Sequence, residues 1–266
     1  MTTEADLARA TLRESTDVVP AEVRDAWAEY LDGRVIDAVW ARPGLGLRER
    51  SIVTVATLAT LGCAHELRTQ VKAARRHGLS RVELCEVVLQ VAGYGGLALG
   101  VEGMRILGEV FDAEPESARD SGGPAELPGP TTDDPDVWTR ARIVMSTMRP
   151  ADGEAMVARL KEPPDPSFPE PIAQGWNRWL TQTAFGTLWA RPNLTFVDRE
   201  RVTIAVLVAL NLVPELRPHF DIALNVGISP EELGEQLLQA GPYVGYPRLV
   251  ESILIVKEVL AARASS

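Results

Sequence analysis

Two stretches of the chain are apolar on nearly every side. Residues 51–62 (SIVTVATLATLG) and 201–212 (RVTIAVLVALNL) interrupt their aliphatic runs mainly with threonine, so neither carries a polar stripe. A segment of this kind is a helix enclosed by neighbours in the middle of a bundle. A buried parallel strand is the rival reading, and the length of the run speaks against it, since strands average about six residues. Charged residues return after each run, and the next stretch ends at Gly78 or Gly227, the residue type that closes a helix in the left-handed conformation. Ser80-x-x-Glu83 and Ser229-Pro230-Glu231-Glu232 follow as capping boxes, the second with proline at the first helical position. Residues 101–111 and 249–262 mix apolar and charged positions at helical spacing, and nothing alternates with the period of a sheet. The prediction is an all-α fold.

These elements come in pairs because the chain repeats itself. Shifted by 149 positions, residues 20–110 align with 169–259 without a gap, and 32 of the 91 positions are identical. WARPGL at 40–45 meets WARPNL at 189–194, and the ELR triplets at 66–68 and 215–217 coincide. Gly78, Ser80, Glu83, Gln90, Tyr94, Gly96 and Glu102 fall on Gly227, Ser229, Glu232, Gln239, Tyr243, Gly245 and Glu251. The chain therefore divides into a first repeat with N-terminal helices (1–111), a linker with one or two short helices (112–168) and a second repeat (169–266). A helix as apolar as 202–212 needs neighbours that one 90-residue unit hardly supplies, so the two repeats are expected to pack on each other about a pseudo-twofold axis.

Composition narrows the partners. A net charge of −10 disfavours a phosphate backbone, so nucleic acid is not an expected partner. No apolar run approaches the roughly 20 residues that cross a bilayer, and the N-terminal MTTEADLARATLRE does not read as a secretory signal. Cys63 and Cys85 form no CxxC pair, which fits a reducing compartment; a cytoplasmic protein without membrane attachment is expected. His65, His77 and His219 show no metal-ligand spacing, and no glycine-rich loop follows a strand, so neither a metal nor a nucleotide cofactor is expected.

The order RERSIVTVATLATLG, HELR, a GLS or GIS turn before an acidic helix start, then LQxxxYxG resembles the carboxymuconolactone decarboxylase family, relatives of the alkyl hydroperoxidase D fold, over about 70 residues in each half. The resemblance implies two fused helical bundles and a small-molecule substrate. It also implies a homo-oligomer, a trimer of fused pseudo-dimers or a dimer. The hydroperoxidase branch depends on a redox CxxC. The aligned positions here read Cys63-Ala64-His65-Glu66 and Leu212-Val213-Pro214-Glu215, so thiol peroxidase chemistry is not expected.

The decarboxylase branch has E-L-R-x-H, kept in the second repeat as Glu215-Leu216-Arg217-Pro218-His219. Glutamate and histidine at i and i+4 share a helix face, so Glu215 is expected to orient His219 as a general acid/base pair. Glu200, 19 residues before His219, stands where the hydroperoxidase branch has a functional glutamate, although the Arg199-Glu200-Arg201 cluster also reads as a solvated ion-pair face. His219, Glu215 and Glu200 are thus the candidate catalytic residues. Tyr243, Tyr94, Glu66, His65 and Arg217 are the candidate substrate-binding ones; a salt bridge from Glu215 to Arg217, or from Glu66 to Arg68, is the structural alternative. Trp40 and Trp189 read as core anchors, and Arg42 and Arg191 as partners of an acidic neighbour. The first repeat has Ser51 and Gln70 where the second has Glu200 and His219, and so is expected to be degenerate or to lend residues to the other site. The expected activity is cofactor-independent decarboxylation of an enolisable carboxylated ring. Closure or rearrangement of an aromatic polyketide ring is one alternative, and a non-catalytic binding scaffold another.

Overall fold

The computed structural model describes residues 6, 9, 12, 19–114, 136–161 and 169–265. Among them every regular element is helical. In the first repeat α1 (Arg24–Glu29) runs on into a π-helical stretch, Tyr30–Trp40, followed by α2 (Leu47–Leu61), α3 (Ala64–Arg76), α4 (Arg81–Gly95) and α5 (Leu97–Ala113). Two linker helices, α6 (Val137–Met148) and α7 (Gly153–Lys161), come next. The second repeat retraces the first: α8 (Glu170–Trp179) with a π-helical stretch, Leu180–Leu188, then α9 (Phe196–Leu210), α10 (Val213–Val226), α11 (Pro230–Val244) and α12 (Tyr246–Ala264). Residues 115–135 and 162–168 of the predicted linker lie outside the described residues, as does most of 1–18, where part of the expected N-terminal helices falls.

Each predicted stop and start is present. Gly78 and Gly227 have φ of 109° and 107°, a conformation that a side chain would strain. Both capping boxes form, Ser80 with Glu83 and Ser229 with Glu232, satisfying the free N–H groups at the starts of α4 and α11. The last helices begin earlier than the apolar pattern suggests, at Leu97 and Tyr246, because the chain turns at Gly96 and Gly245 and the first turn beyond is exposed.

The two repeats share one core. Helices α2 and α9 are buried along almost their whole length and pack on each other, with Ile52, Val55, Val202 and Val206 in a single apolar cluster that also takes in α3, α4, α10 and α11. Around them polar contacts occur in reciprocal pairs. The buried Arg50 guanidinium donates to Glu235 at 2.9 Å, and the buried Arg199 guanidinium donates to Glu86 at 2.9 Å. Gln239 donates to Thr54 at 3.0 Å, and Gln90 to Thr203 at 3.1 Å. Arg42 also reaches Glu235, and Arg191 reaches Glu86. A contact from i to j matched by one from the equivalent of j to the equivalent of i is the mark of a twofold interface, here within one chain.

The linker helices break the symmetry: among the described residues they pack chiefly on the second repeat. Val144 and Met148 pack on Trp189 and Ile222, Arg140 donates to the Gly186 carbonyl at 2.7 Å, and Asn225 donates to the Met148 carbonyl at 2.9 Å. Among the described residues no helix is long and apolar enough to cross a membrane.

Candidate functional site

In the second repeat the first two turns of α9 place Glu200 inside the bundle, fully buried. The second turn of α10 presents His219 across from it, and His219 Nδ1 lies 2.7 Å from Glu200 Oε1. The other carboxylate oxygen, Oε2, is buried and has no hydrogen-bond partner among the described residues. Burial pushes the Glu200 carboxyl above its ordinary range, and the neighbouring imidazole works against that shift. A carboxyl raised toward neutrality and an imidazole at hydrogen-bond distance can hold a proton between them and pass it on.

The wall of this site comes from the other repeat. Tyr94, at the end of α4, meets the His219 ring edge-on, with centroids 5.5 Å apart and an interplanar angle of 82°. Its hydroxyl accepts from the Trp189 indole N–H at 2.9 Å and is in hydrogen-bonding contact with Thr203. Burial, with the nearby Glu200 charge, pushes the phenol well above its usual range, so Tyr94 stays protonated beside the pair. Trp189 is fully buried at the point where the π-helical stretch ends, a geometry that recurs at functional sites.

The equivalent place in the first repeat is built from the same wall and a different pair. Trp40, again at the end of a π-helical stretch, donates to the Tyr243 hydroxyl at 3.2 Å. Ser51 stands for Glu200, and its Oγ lies 2.7 Å from Nδ1 of His77, the residue that ends α3. Burial, and secondarily Arg76, pull the His77 imidazole down to about 4. His77 has no signal in the repeat alignment, since its counterpart is Val226; only the turn of α3 brings it to Ser51.

Several sequence expectations need correction. Glu215 is exposed in the first turn of α10, and among the described residues no ion pair joins it to His219; the partner of His219 is Glu200. The helix face expected to carry Glu215 and His219 together carries only the histidine inward. Arg199, Glu200 and Arg201 are all buried, not a solvated ion-pair face, because α9 is enclosed even in its first turns. His65 and Glu66 are exposed at the start of α3, away from both pairs. Arg217 is half-exposed and bonds to Glu258, as Arg68 does to Glu109, so neither arginine serves the ELR glutamate. Tyr94 and Tyr243 do reach the sites, each that of the opposite repeat. A cavity of about 550 Å³ lies against the outer face of α10, lined by Arg149, Arg217, Asp221, Asn225 and Arg263, and His219 does not line it. Among the described residues no three His, Cys, Asp or Glu side chains are grouped as a metal site.

A model of the carboxymuconolactone decarboxylase family matches residues 21–108 and 174–258. The chain belongs to this family. Both pairs and both tyrosines lie inside the matched regions. Among curated relatives, the 4-carboxymuconolactone decarboxylase of Acinetobacter baylyi is 39% identical over 86 residues, 32% of this chain and 64% of that protein. The nitrosuccinic acid decarboxylase of Metarhizium robertsii is 28% identical over 90 residues, 34% of this chain and 63% of that protein. The chain thus spans somewhat less than two thirds of the length of these members, and each alignment has about the length of one repeat.

Proposed function

We propose that the chain is a decarboxylase of small carboxylic acids working by acid/base chemistry at Glu200 and His219. The observation that carries this reading is the buried 2.7 Å contact between the two side chains, with one carboxylate oxygen left unpartnered. Two relatives named as decarboxylases support it. One is named for a carboxylated lactone and the other for a nitro-substituted diacid, so the substrate class is set by the leaving carboxylate and an adjacent group that accepts its electrons; a ring is one form of it.

The carbon–carboxylate bond breaks, CO2 leaves, and the electron pair passes into the adjacent acceptor to give an enolate-like carbanion. His219, with Nδ1 engaged by Glu200, delivers a proton from Nε2 to that carbon and takes one back from water. The balance is one carboxylate and one proton in, one C–H compound and CO2 out. Glu200 fixes the orientation of the ring, while Tyr94 and Trp189 keep the imidazole edge in place and exclude water from the face they cover.

The test is CO2 release from 4-carboxymuconolactone and from nitrosuccinic acid by the full chain, His219→Gln and Glu200→Gln. A general acid contributes about 10²–10⁴-fold, so each variant should lose at least a hundredfold in kcat. Variants that match the native rate, or no CO2 from either acid with the native chain, would refute the reading. Ring rearrangement without CO2 would favour the isomerase alternative, and binding without turnover the scaffold.

The same reading includes self-association. Val23, Trp27 and Tyr30 on one repeat and Ile172, Trp176 and Trp179 on the other are equivalent exposed apolar stripes, and so are Leu97 with Val101 and Tyr246 with Val250. Tyr30 is in hydrogen-bonding contact with Tyr246, which joins a stripe of the first repeat to one of the second. One apolar face presented twice suits a closed homo-oligomer. Sedimentation of the native chain against Trp176→Glu should show the assembly lost in the variant; a native chain sedimenting at 28.9 kDa would exclude it.

A further inference from the structure

The first repeat is not an empty copy of the second. At the position of Glu200 it holds Ser51, 1% exposed, and its hydroxyl is hydrogen-bonded to an imidazole that the second repeat lacks. We propose that Ser51 and His77 form a second reactive site, a serine nucleophile with a histidine base, that takes the acyl group of a small uncharged ester.

A neutral ring leaves Nδ1 free to accept the Ser51 hydrogen in one of its two tautomers. His77 is held neutral, so one ring nitrogen accepts and the other carries hydrogen. With the Ser51 hydroxyl as donor, Nδ1 is the acceptor at 2.7 Å, the arrangement in which a histidine removes the proton of an attacking serine. Two buried polar atoms of α3 and its end have no partner among the described residues: Nε2 of His77 and Oε1 of Gln70, the residue at the register position of His219. Unpartnered buried polar atoms are uncommon, and the one on the ring that contacts Ser51 points to a polar ligand. Packing alone does not call for these residues, because the second repeat fills the same positions with a glutamate and a valine. The Trp40 ring lies 6.1 Å from the His77 ring, and its N–H is held by Tyr243. Ser51, Gln70, His77, Trp40 and Tyr243 are all uncharged, which favours an uncharged substrate over a carboxylate. His77 is the half-buried member of the pair.

In the first step Oγ of Ser51 bonds to the acyl carbon while its proton passes to Nδ1 of His77. The bond to the leaving oxygen then breaks, and that oxygen departs as the alcohol with the proton from Nδ1. Water repeats the sequence on the acyl-serine, releasing the acid and restoring the hydroxyl. None of these steps uses Glu200 or His219, so the proposal stands apart from the decarboxylase reading.

The experiment is labelling of the folded full chain with diisopropyl fluorophosphate, followed by peptide mass mapping. The expected result is one phosphoryl adduct on Ser51, with the labelling rate reduced about a hundredfold in His77→Gln, whose amide can hydrogen-bond to the serine but cannot take its proton. Glu200→Gln should label at the native rate. Absence of the adduct from Ser51, an adduct only on other serines, or equal rates in native chain and His77→Gln would overturn the proposal. Circular dichroism of each variant separates a lost fold from a lost nucleophile.

Discussion

Glu86 and Glu235 each face two guanidiniums, one buried and one half-exposed, and their removal measures how much of the fold rests on the inter-repeat ion pairs. In Glu86→Gln the fully buried Arg199 keeps only neutral acceptors, the Gln90 amide oxygen and the carbonyls of Arg191 and Pro192. Burial already pulls that guanidinium below its ordinary range even with Glu86 in place, so the charge depends on its partner. Stranding one member of a buried pair costs about 3–5 kcal/mol, and the three neutral acceptors place this case near the lower end, about 3 kcal/mol. The half-exposed Arg191 adds little. Arg50 likewise keeps Gln239 and two carbonyls, so Glu235→Gln should cost a similar amount. The assay is urea unfolding. With a slope of about 3 kcal/mol per molar, each variant should move the midpoint down by about 1 M at unchanged slope. The double variant should lose about 6 kcal/mol, comparable to the whole stability of many domains, and be largely unfolded without denaturant. Shifts below about 0.3 M in both single variants would refute the reasoning, because neutral acceptors would then suffice for the buried guanidiniums.

Three further outcomes follow from the pairs. Burial raises the Glu200 carboxyl in the folded state, so its share of stability is present below the ordinary carboxylate range and is lost as pH rises through the folded-state value. Glu200→Gln, followed by thermal unfolding from pH 4 upward, should therefore gain on the native chain as pH rises; a constant difference would contradict this. His77 has the opposite sign: its folded value, about 4, lies below the ordinary 6.5, so stability is full above 6.5 and declines as pH falls toward 4. His77→Gln should flatten that decline, and an unchanged acid limb would show that His77 is not its source. Tyr94→Phe keeps the ring against His219 but strands the Trp189 indole N–H, which costs about 1–3 kcal/mol in urea unfolding; a loss below about 0.5 kcal/mol would mean that the indole finds another acceptor.

The fold was legible because the signals that set it are local and occur twice. The apolar runs, the capping boxes and the closing glycines each fix an element within a few residues, and a 149-residue shift confirms every one. The π-helical stretches before Trp40 and Trp189 were not foreseen, since an inserted backbone turn leaves the side-chain pattern helical. The sites were legible only in part. His219 and Glu200 are 19 residues apart on different helices, and the i, i+4 rule favoured Glu215 because helix geometry is all that a sequence displays directly. Which of two acidic residues faces inward is decided by the packing of α9 against α10, a long-range property. His77 escaped notice for the related reason that its partner is 26 residues away and its counterpart is apolar.

The pairs that build the two sites and their wall differ in where their partners lie. Arg42 with Glu235, Arg50 with Gln239 and Trp40 with Tyr243 cross from one repeat to the other, and each recurs with the same residue types in Arg191 with Glu86, Arg199 with Gln90 and Trp189 with Tyr94. Glu200 with His219 and Ser51 with His77 stay within one repeat and differ, although other pairs within one repeat, such as Arg68 with Glu109 and Arg217 with Glu258, recur. A crossing pair belongs to the shared core, where one stranded partner destabilises both halves, whereas a pair confined to one repeat can change without consequence for the other. The tryptophan–tyrosine wall of the Glu200 site is therefore already present in the first repeat, and the paired residues themselves differ at positions 51, 70 and 77. The triple variant Ser51→Glu, Gln70→His, His77→Val gives the first repeat the residues of the second. If Glu200 and His219 decarboxylate, two independent sites should raise CO2 release per chain about twofold. Adding Glu200→Gln to the triple variant should return the rate to about the native level. A folded triple variant whose rate stays at the native value, and falls a hundredfold with Glu200→Gln, would show that the exchanged residues and the wall do not suffice, and that features present only at the second site, the cover of α6 among them, complete it.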